Sequence, residues 1–299
     1  MKAYLTHTSR PARFTQLGGV SVLAFATLLI AGAFTAAQAT VVYTTGFEAP
    51  GYTQTGLGGQ DSWAASTSYT VQSGGLDYSG GDVGNDGGLQ SAVTTSPNHS
   101  DNAIHTFSSQ TGDVYFSYML NWDWTSANSG EAGWFYLGQL NATTSSLGII
   151  ALPNPELIRG RIIESNNATN NSSTTEPFAD ATTVMIVGKI SKSGSNGSNY
   201  DTLEFITNPT GLDEPISWTN SVTADSGVSS IDRVVLRMLE GVDGDLSGDT
   251  IAFDNITIGT EYGDVVSAIP ESSSAMPFGL VFLLICLYRR QLASCSAVS

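Results

Sequence analysis

Between residues 41 and 258 the chain repeats one order of side chains. Short runs of β-branched and aromatic residues alternate with clusters of Gly, Asn, Asp and Ser. Runs at 41–45, 69–72, 103–107, 114–120, 133–140, 146–151, 158–164, 183–190, 202–207, 233–239 and 251–258 have the length and punctuation of β-strands. Several alternate apolar with polar residues, the period of a sheet with one wet face. The run Val114-Tyr115-Phe116-Ser117-Tyr118-Met119-Leu120 is apolar on both faces, which predicts a strand covered on both sides. No segment holds a helical period over three turns. About eleven to fourteen strands predict an all-β body of two packed antiparallel sheets. No fixed-period repeat supports a solenoid. The stretches 77–86 and 165–175 read as polar loops, and 191–199 as a hairpin tip.

The pattern changes at both ends. Residues 1–39 read as a secretory signal peptide: Lys2, Arg10 and Arg13 precede a largely apolar stretch, and Ala37-Gln38-Ala39 forms an A-x-A cleavage site. The body then spans 40–265. Residues 266–299 form a linker and a tail, in which the uncharged stretch at about 273–288 is expected to be a single transmembrane helix, at the short end of the roughly 17–25 residues such a span takes. Arg289 and Arg290 end the apolar run and favour the cytoplasmic side, which leaves the body outside.

Charge sharpens this picture. The chain carries 11 basic and 27 acidic residues, for a net charge of −16. Five of the basic residues lie in the two end segments, so the body holds six against 26 acids and stands near −20. Such a charge opposes nucleic acid and anionic membranes as partners of the body, and it suits divalent cations. Both cysteines, Cys286 and Cys295, fall in the tail. That excludes disulfide, thiol-nucleophile and zinc-thiolate chemistry for the body.

Two resemblances follow from particular residues. Pro270-Glu271, the apolar run and the Arg289-Arg290 pair together resemble the PEP-CTERM sorting signal, with Ser272 where the second proline is usual. That resemblance implies processing by signal peptidase and an exosortase-type protease, membrane attachment through the tail until it is cut, and display at the cell surface or release outside. Gly46-Phe47-Glu48, the central 114–120 strand, Met185-Ile186-Val187-Gly188-Lys189-Ile190 and Phe253-Asp254-Asn255-Ile256-Thr257-Ile258-Gly259 together resemble the concanavalin A-like, laminin-G-type jelly roll. Members of that fold bind glycans, bind proteins or hydrolyse polysaccharides, so fold alone leaves function open. Many hold a structural Ca²⁺ where the first and last strands meet. On that resemblance Glu48 and Asp254 are the candidate ligands, with the hard oxygens that Ca²⁺ takes.

For ligand binding the sequence offers aromatic residues beside polar ones. Trp122 and Trp124 flank Asp123 at the entry to a polar stretch, and we expect these three to contact a sugar. Trp134 and Tyr136 are expected to fill the core. Asp243–Asp249 reads as an Asp/Gly turn. No E-x-D-x-x-E spacing occurs that would set paired carboxylates for glycoside hydrolysis, and Glu131 stands alone. The expectation is an exported, non-catalytic protein that binds polysaccharide or matrix glycan. The alternatives are a divergent glycoside hydrolase or lyase, and a purely structural or adhesive surface protein.

Overall fold

The computed structural model describes residues 40–266, apart from 87, 96–101, 125–131, 139–144, 153–155, 165–168, 172–175 and 240–248. The expected signal peptide, the expected sorting tail with Pro270, Glu271, Arg289 and Arg290, and most of the expected Asp243–Asp249 turn lie outside the described residues. No helix of the described residues is long and apolar enough to cross a membrane.

Two eight-stranded antiparallel sheets face each other. The first contains β1 (Val41–Thr45), β3 (Tyr69–Ser73), β6 (Gln90–Thr95), β8 (Val114–Asp123), β14 (Val184–Ser191), β15 (Thr202–Thr207), β16 (Asn220–Thr223) and β18 (Thr250–Gly259). Its spatial order is β16-β15-β14-β8-β18-β6-β3, with β1 also on β18. The second contains β2 (Ala64–Ala65), β7 (Asn102–Gln110), β9 (Ala132–Gly138), β10 (Ser146–Leu152), β11 (Leu157–Ile163), β12 (Thr169–Asn171), β13 (Glu176–Pro177) and β17 (Ile231–Leu239). Its order is β12-β11-β10-β9-β17-β7-β2, with β13 also on β11. The chain crosses repeatedly from one sheet to the other, as in jelly rolls. A separate hairpin pairs β4 (Asp77–Gly80) with β5 (Val83–Asp86).

The core fills the space between the sheets. Phe116, Tyr118, Leu120 and Trp122 of β8 meet Phe135 and Leu137 of β9, and Tyr118 stacks on Phe135 with centroids 4.0 Å apart. The opposite face of β8 is also dry. Tyr115 and Met119 pack with Met185, Val187 and Ala252, beneath Leu76, Val83 and the short helix α1 (Tyr262–Val265). The two apolar faces of this strand therefore have different covers: the other sheet, and a lid built from the hairpin and α1.

Two stretches expected as polar loops are strands. Residues 77–86 form the β4–β5 hairpin, whose Val83 is buried, and Thr169–Asn171 pair with β11. Edge pairing needs only backbone donors and acceptors, so polar side chains do not forbid it. The expected hairpin tip does connect β14 to β15. It is organised by Asp201, whose fully buried carboxylate accepts hydrogen bonds from the Ser193 N–H (2.7 Å) and Oγ (2.6 Å), from Asn196 Nδ2 (3.3 Å) and from Thr202 Oγ1 (3.1 Å). Burial raises its pKa, but these donors outweigh burial and hold it below the ordinary aspartate value. A depressed folded pKa means that the stabilisation is full above the unfolded value of 3.8 and is lost as pH falls through the folded value. Asp201→Ala is expected to cost about 2–4 kcal/mol at neutral pH, read from urea unfolding. The difference from the parent chain should shrink in acid.

Candidate functional site

Trp122 and Trp124 are not at the surface. Trp122 is fully buried and Trp124 is 9% exposed. They pack edge-to-face with centroids 6.3 Å apart, and Trp124 meets Phe178 in the same manner at 5.3 Å. The strand runs three residues beyond the expected Leu120, and its alternation continues to the end, so Trp122 stays on the core side. Asp123 is exposed at the strand end, opposite Thr250. The three residues therefore form no joint surface: the expected platform is part of the core, which leaves Asp123 alone facing solvent.

Glu48 and Asp254 come together where β18 changes partner. Its first half pairs with β6 and its second with β1, and the ladder is irregular between Asp254 and Thr257, with Asn255 at a φ of +45°. Asp254 is fully buried; its Oδ2 accepts the Leu76 N–H at 2.8 Å and its Oδ1 the Asn255 N–H at 2.7 Å. Glu48 Oε1 accepts the N–H groups of Leu89 (2.7 Å) and Gln90 (2.8 Å). Burial pushes the Asp254 carboxyl up to about 8; the two N–H donors pull it down, and the negative charges of Glu48 and Asp77 push it further up. A buried carboxyl held against two others is a place where a divalent cation relieves repulsion. Among the described residues no three His, Cys, Asp or Glu converge as a metal cluster.

A different surface gathers the body's basic residues. Arg159 and Arg161 alternate with Gly160 on β11, and Arg233 and Arg237 lie four apart on β17. Even spacing on a strand puts each pair on one face. The inward face of β11 carries Ile158 and Ile162, so its arginines face out. Register then joins the two strands. One row across the sheet reads Arg159, Ile150, Trp134, Arg237; the next reads Arg161, Gly148, Tyr136, Val235. Trp134 and Tyr136 thus stand between the arginine strands, on the outer side of β9, with ring centroids 4.7 Å apart. They do not join the inter-sheet core but form a separate cluster with Ile150.

This outer face has a layered construction. The Arg161 guanidinium lies over the Trp134 ring, 4.5 Å from its centroid, a cation–π arrangement that also shelters the ring. Gly148 has no side chain for a physical reason: a Cβ there meets the Phe135 carbonyl and the Tyr136 Cα and ring. The Nε atoms of all four arginines are buried without a hydrogen-bond partner, as are Trp134 Nε1 and the Tyr136 hydroxyl. Among the described residues only Asp232 comes within ion-pair distance of any of the four guanidinium groups, 3.7 Å from Arg233. Burial lowers the pKa of Arg161, with Tyr136 opposing and Arg159 adding to the shift. Burial also raises the Tyr136 pKa, although Arg161 and Arg237 pull it down. The arrangement is a set of fork-shaped donors beside an aromatic pair, with Asp232 as the one counter-charge in reach among the described residues.

One buried polar cluster lies elsewhere. His105 on β7 stacks on Tyr43 at 4.1 Å, and its Nε2 is 3.9 Å from Asp61 Oδ2, to which Tyr52 donates at 2.9 Å. Burial lowers the His105 pKa, against the pull of Asp61.

No family model matches this chain, and no curated protein does either. Solved structures with a similar arrangement of strands include a glycosyl hydrolase family protein from Mycobacterium fortuitum, at 14% identity over 73% of this chain and 99% of that one, with a TM-score of 0.43. The T. cruzi calreticulin globular domain is similar at 11% identity over 74% and 88%, with a TM-score of 0.42. The alginate lyase Aly36B is similar at 14% identity over 62% and 86%, with a TM-score of 0.39.

Proposed function

We propose that the chain is an exported, non-catalytic, concanavalin A-like sandwich that binds a polysaccharide or matrix glycan on the outer face of its second sheet. The supporting observation is the group of four outward arginines on the strands beside Trp134 and Tyr136, with the Arg161 guanidinium over the Trp134 ring. A row of charged donors several strands wide suits an extended chain with many oxygens better than a small ligand. Guanidinium forks donate in fixed directions to such oxygens. The aromatic pair holds them in place, which lowers the ordering cost of binding. Export and tail sorting belong to the same proposal, with the secreted chain beginning at Thr40.

The test takes the chain from the culture medium, confirms its N-terminal residue, and screens it against immobilised polysaccharides. Binding should occur, and Arg161→Gln combined with Arg237→Gln should weaken it at least about tenfold. Lys192→Gln, in the β14–β15 hairpin tip, should leave it unchanged. Binding that ignores the arginine pair overturns this face as the site. A hydrolase or lyase reading draws on His105, Tyr43 and Asp61; shortening of the polymer on incubation, lost in His105→Ala, would establish it instead.

A further inference from the structure

We infer that the occupant of this face is an acidic polysaccharide, one bearing a carboxylate on successive sugars. The inference rests on the reading of the face as a glycan site. It begins from the charge balance. The body stands near −20 with only six basic residues, and four of those six project from one side of one sheet. Nothing in folding asks for this. Positive side chains scattered over an acidic body would each find a carboxylate, whereas here four sit together with Asp232 as the one described acid within ion-pair distance of any of them.

Their spacing argues for a polymer. β11 and β17 are separated by β10 and β9, so the two arginine pairs lie roughly 14 Å apart across the sheet. A single small anion cannot reach both pairs; a chain with repeated negative groups can. The geometry of the donors argues for carboxylate. A planar guanidinium matches the two oxygens of a carboxylate in parallel hydrogen bonds, and these four arginines keep part of their surface open on the outer face. The aromatic layer argues against nucleic acid. Bases stack on open rings, but the Trp134 ring lies under the Arg161 guanidinium. Nucleic acid is also repelled more steeply by the body, since its charges lie about 1.7 Å apart along a duplex.

The experiment uses the secreted chain and calorimetric titration with four probes. Two are polyuronates of different linkage geometry, polygalacturonate and polyglucuronate. The third is polygalacturonate after reduction of its carboxyl groups, the same backbone without charge. The fourth is a single-stranded DNA oligonucleotide. At least one polyuronate should bind, and the reduced polymer at least about tenfold more weakly than its parent. Arg159→Gln with Arg237→Gln should abolish the difference between the charged and reduced polymers. Should that variant fail to fold by circular dichroism, Arg159→Lys with Arg237→Lys keeps the charge and removes the fork, and it should still lose most of the preference. Equal binding of charged and reduced polymers overturns the acidic inference and leaves the glycan reading standing. Binding of no polymer by the folded chain removes both. Tighter binding of DNA than of either polyuronate replaces the glycan reading with a nucleic-acid one.

Discussion

Trp122→Ala is expected to lower stability by about 3–5 kcal/mol, the cost of removing a large buried aromatic side chain. Domains of this kind have only about 5–15 kcal/mol in total. The residue is fully buried, and its surroundings are built around it. Ile251 pairs with it in register, Trp124 meets it edge-on at 6.3 Å, and Gly133 of the facing sheet leaves room for its ring: a Cβ there would lie 3.3 Å from Trp122 and overlap Ile251. No neighbouring side chain is free to collapse into the space, so a cavity remains. Urea unfolding should show a lower midpoint with an unchanged slope, the signature of lost stability. A midpoint within about 0.3 M of the parent would mean that Trp122 does not carry this part of the core. The same argument makes a Trp122/Trp124 double alanine variant unsuitable as a binding test, because it removes the fold along with any site.

The stability of the chain in a chelator should fall as pH rises from about 4 to about 8, and calcium should reverse the fall. The sign comes from Asp254. Its folded pKa is raised from 3.8 to about 8, chiefly by burial. Across that window the folded state keeps a proton that the unfolded state has released, so folding becomes less favourable as protons grow scarce. Each unit of pKa difference is worth about 1.4 kcal/mol, so the full effect is on the order of a few kcal/mol. A cation between Glu48 and Asp254 takes over the proton's task, and mass action then raises stability with its concentration. Thermal melts at pH 5 and pH 8, in EDTA and in calcium, separate these effects. The melting temperature in EDTA should be lower at pH 8, calcium should restore it there and do little at pH 5, and Asp254→Asn should flatten the dependence. A parent chain with no pH dependence in EDTA refutes the buried-proton account, and indifference to calcium at pH 8 removes the cation.

Much of the architecture was legible because strand alternation is a local property. β11 reads Leu157, Ile158, Arg159, Gly160, Arg161, Ile162, Ile163, and its burial alternates in step with its sequence. β8 announces its two dry faces by having too few polar residues. The misreading of Trp122 has a local cause as well. Asn121 and Asp123 give the end of β8 the look of a loop, yet they are only the outward half of a continuing alternation. The arginine face was half legible. Each of the pairs 159/161, 134/136 and 233/237 has an even spacing, which makes its members cofacial on any strand. What no local pattern gives is that β9 lies between β10 and β17, because strand order depends on pairings between segments far apart in the chain. The assignment of Trp134 and Tyr136 to a core was therefore half right: they are buried, but on the outer side of their sheet, among arginines.

The position of the last two strands bears on how the chain can be made. β17 lies inside the second sheet, between β9 and β7, and β18 lies inside the first, between β8 and β6 with β1 beside it. Both sheets are thus closed by the last strands of the body. Until residue 259 has emerged, β1, β6 and β8 lack the partner that joins them, and the earlier strands form only partial edges. Folding of such long-range pairings is slow compared with local structure. The sandwich is therefore completed only once residue 259 has joined its partners, and the preceding polypeptide stays threadable until then. An acidic body without cysteines and with these properties can pass a narrow pore before it folds and needs no oxidant on the far side to finish.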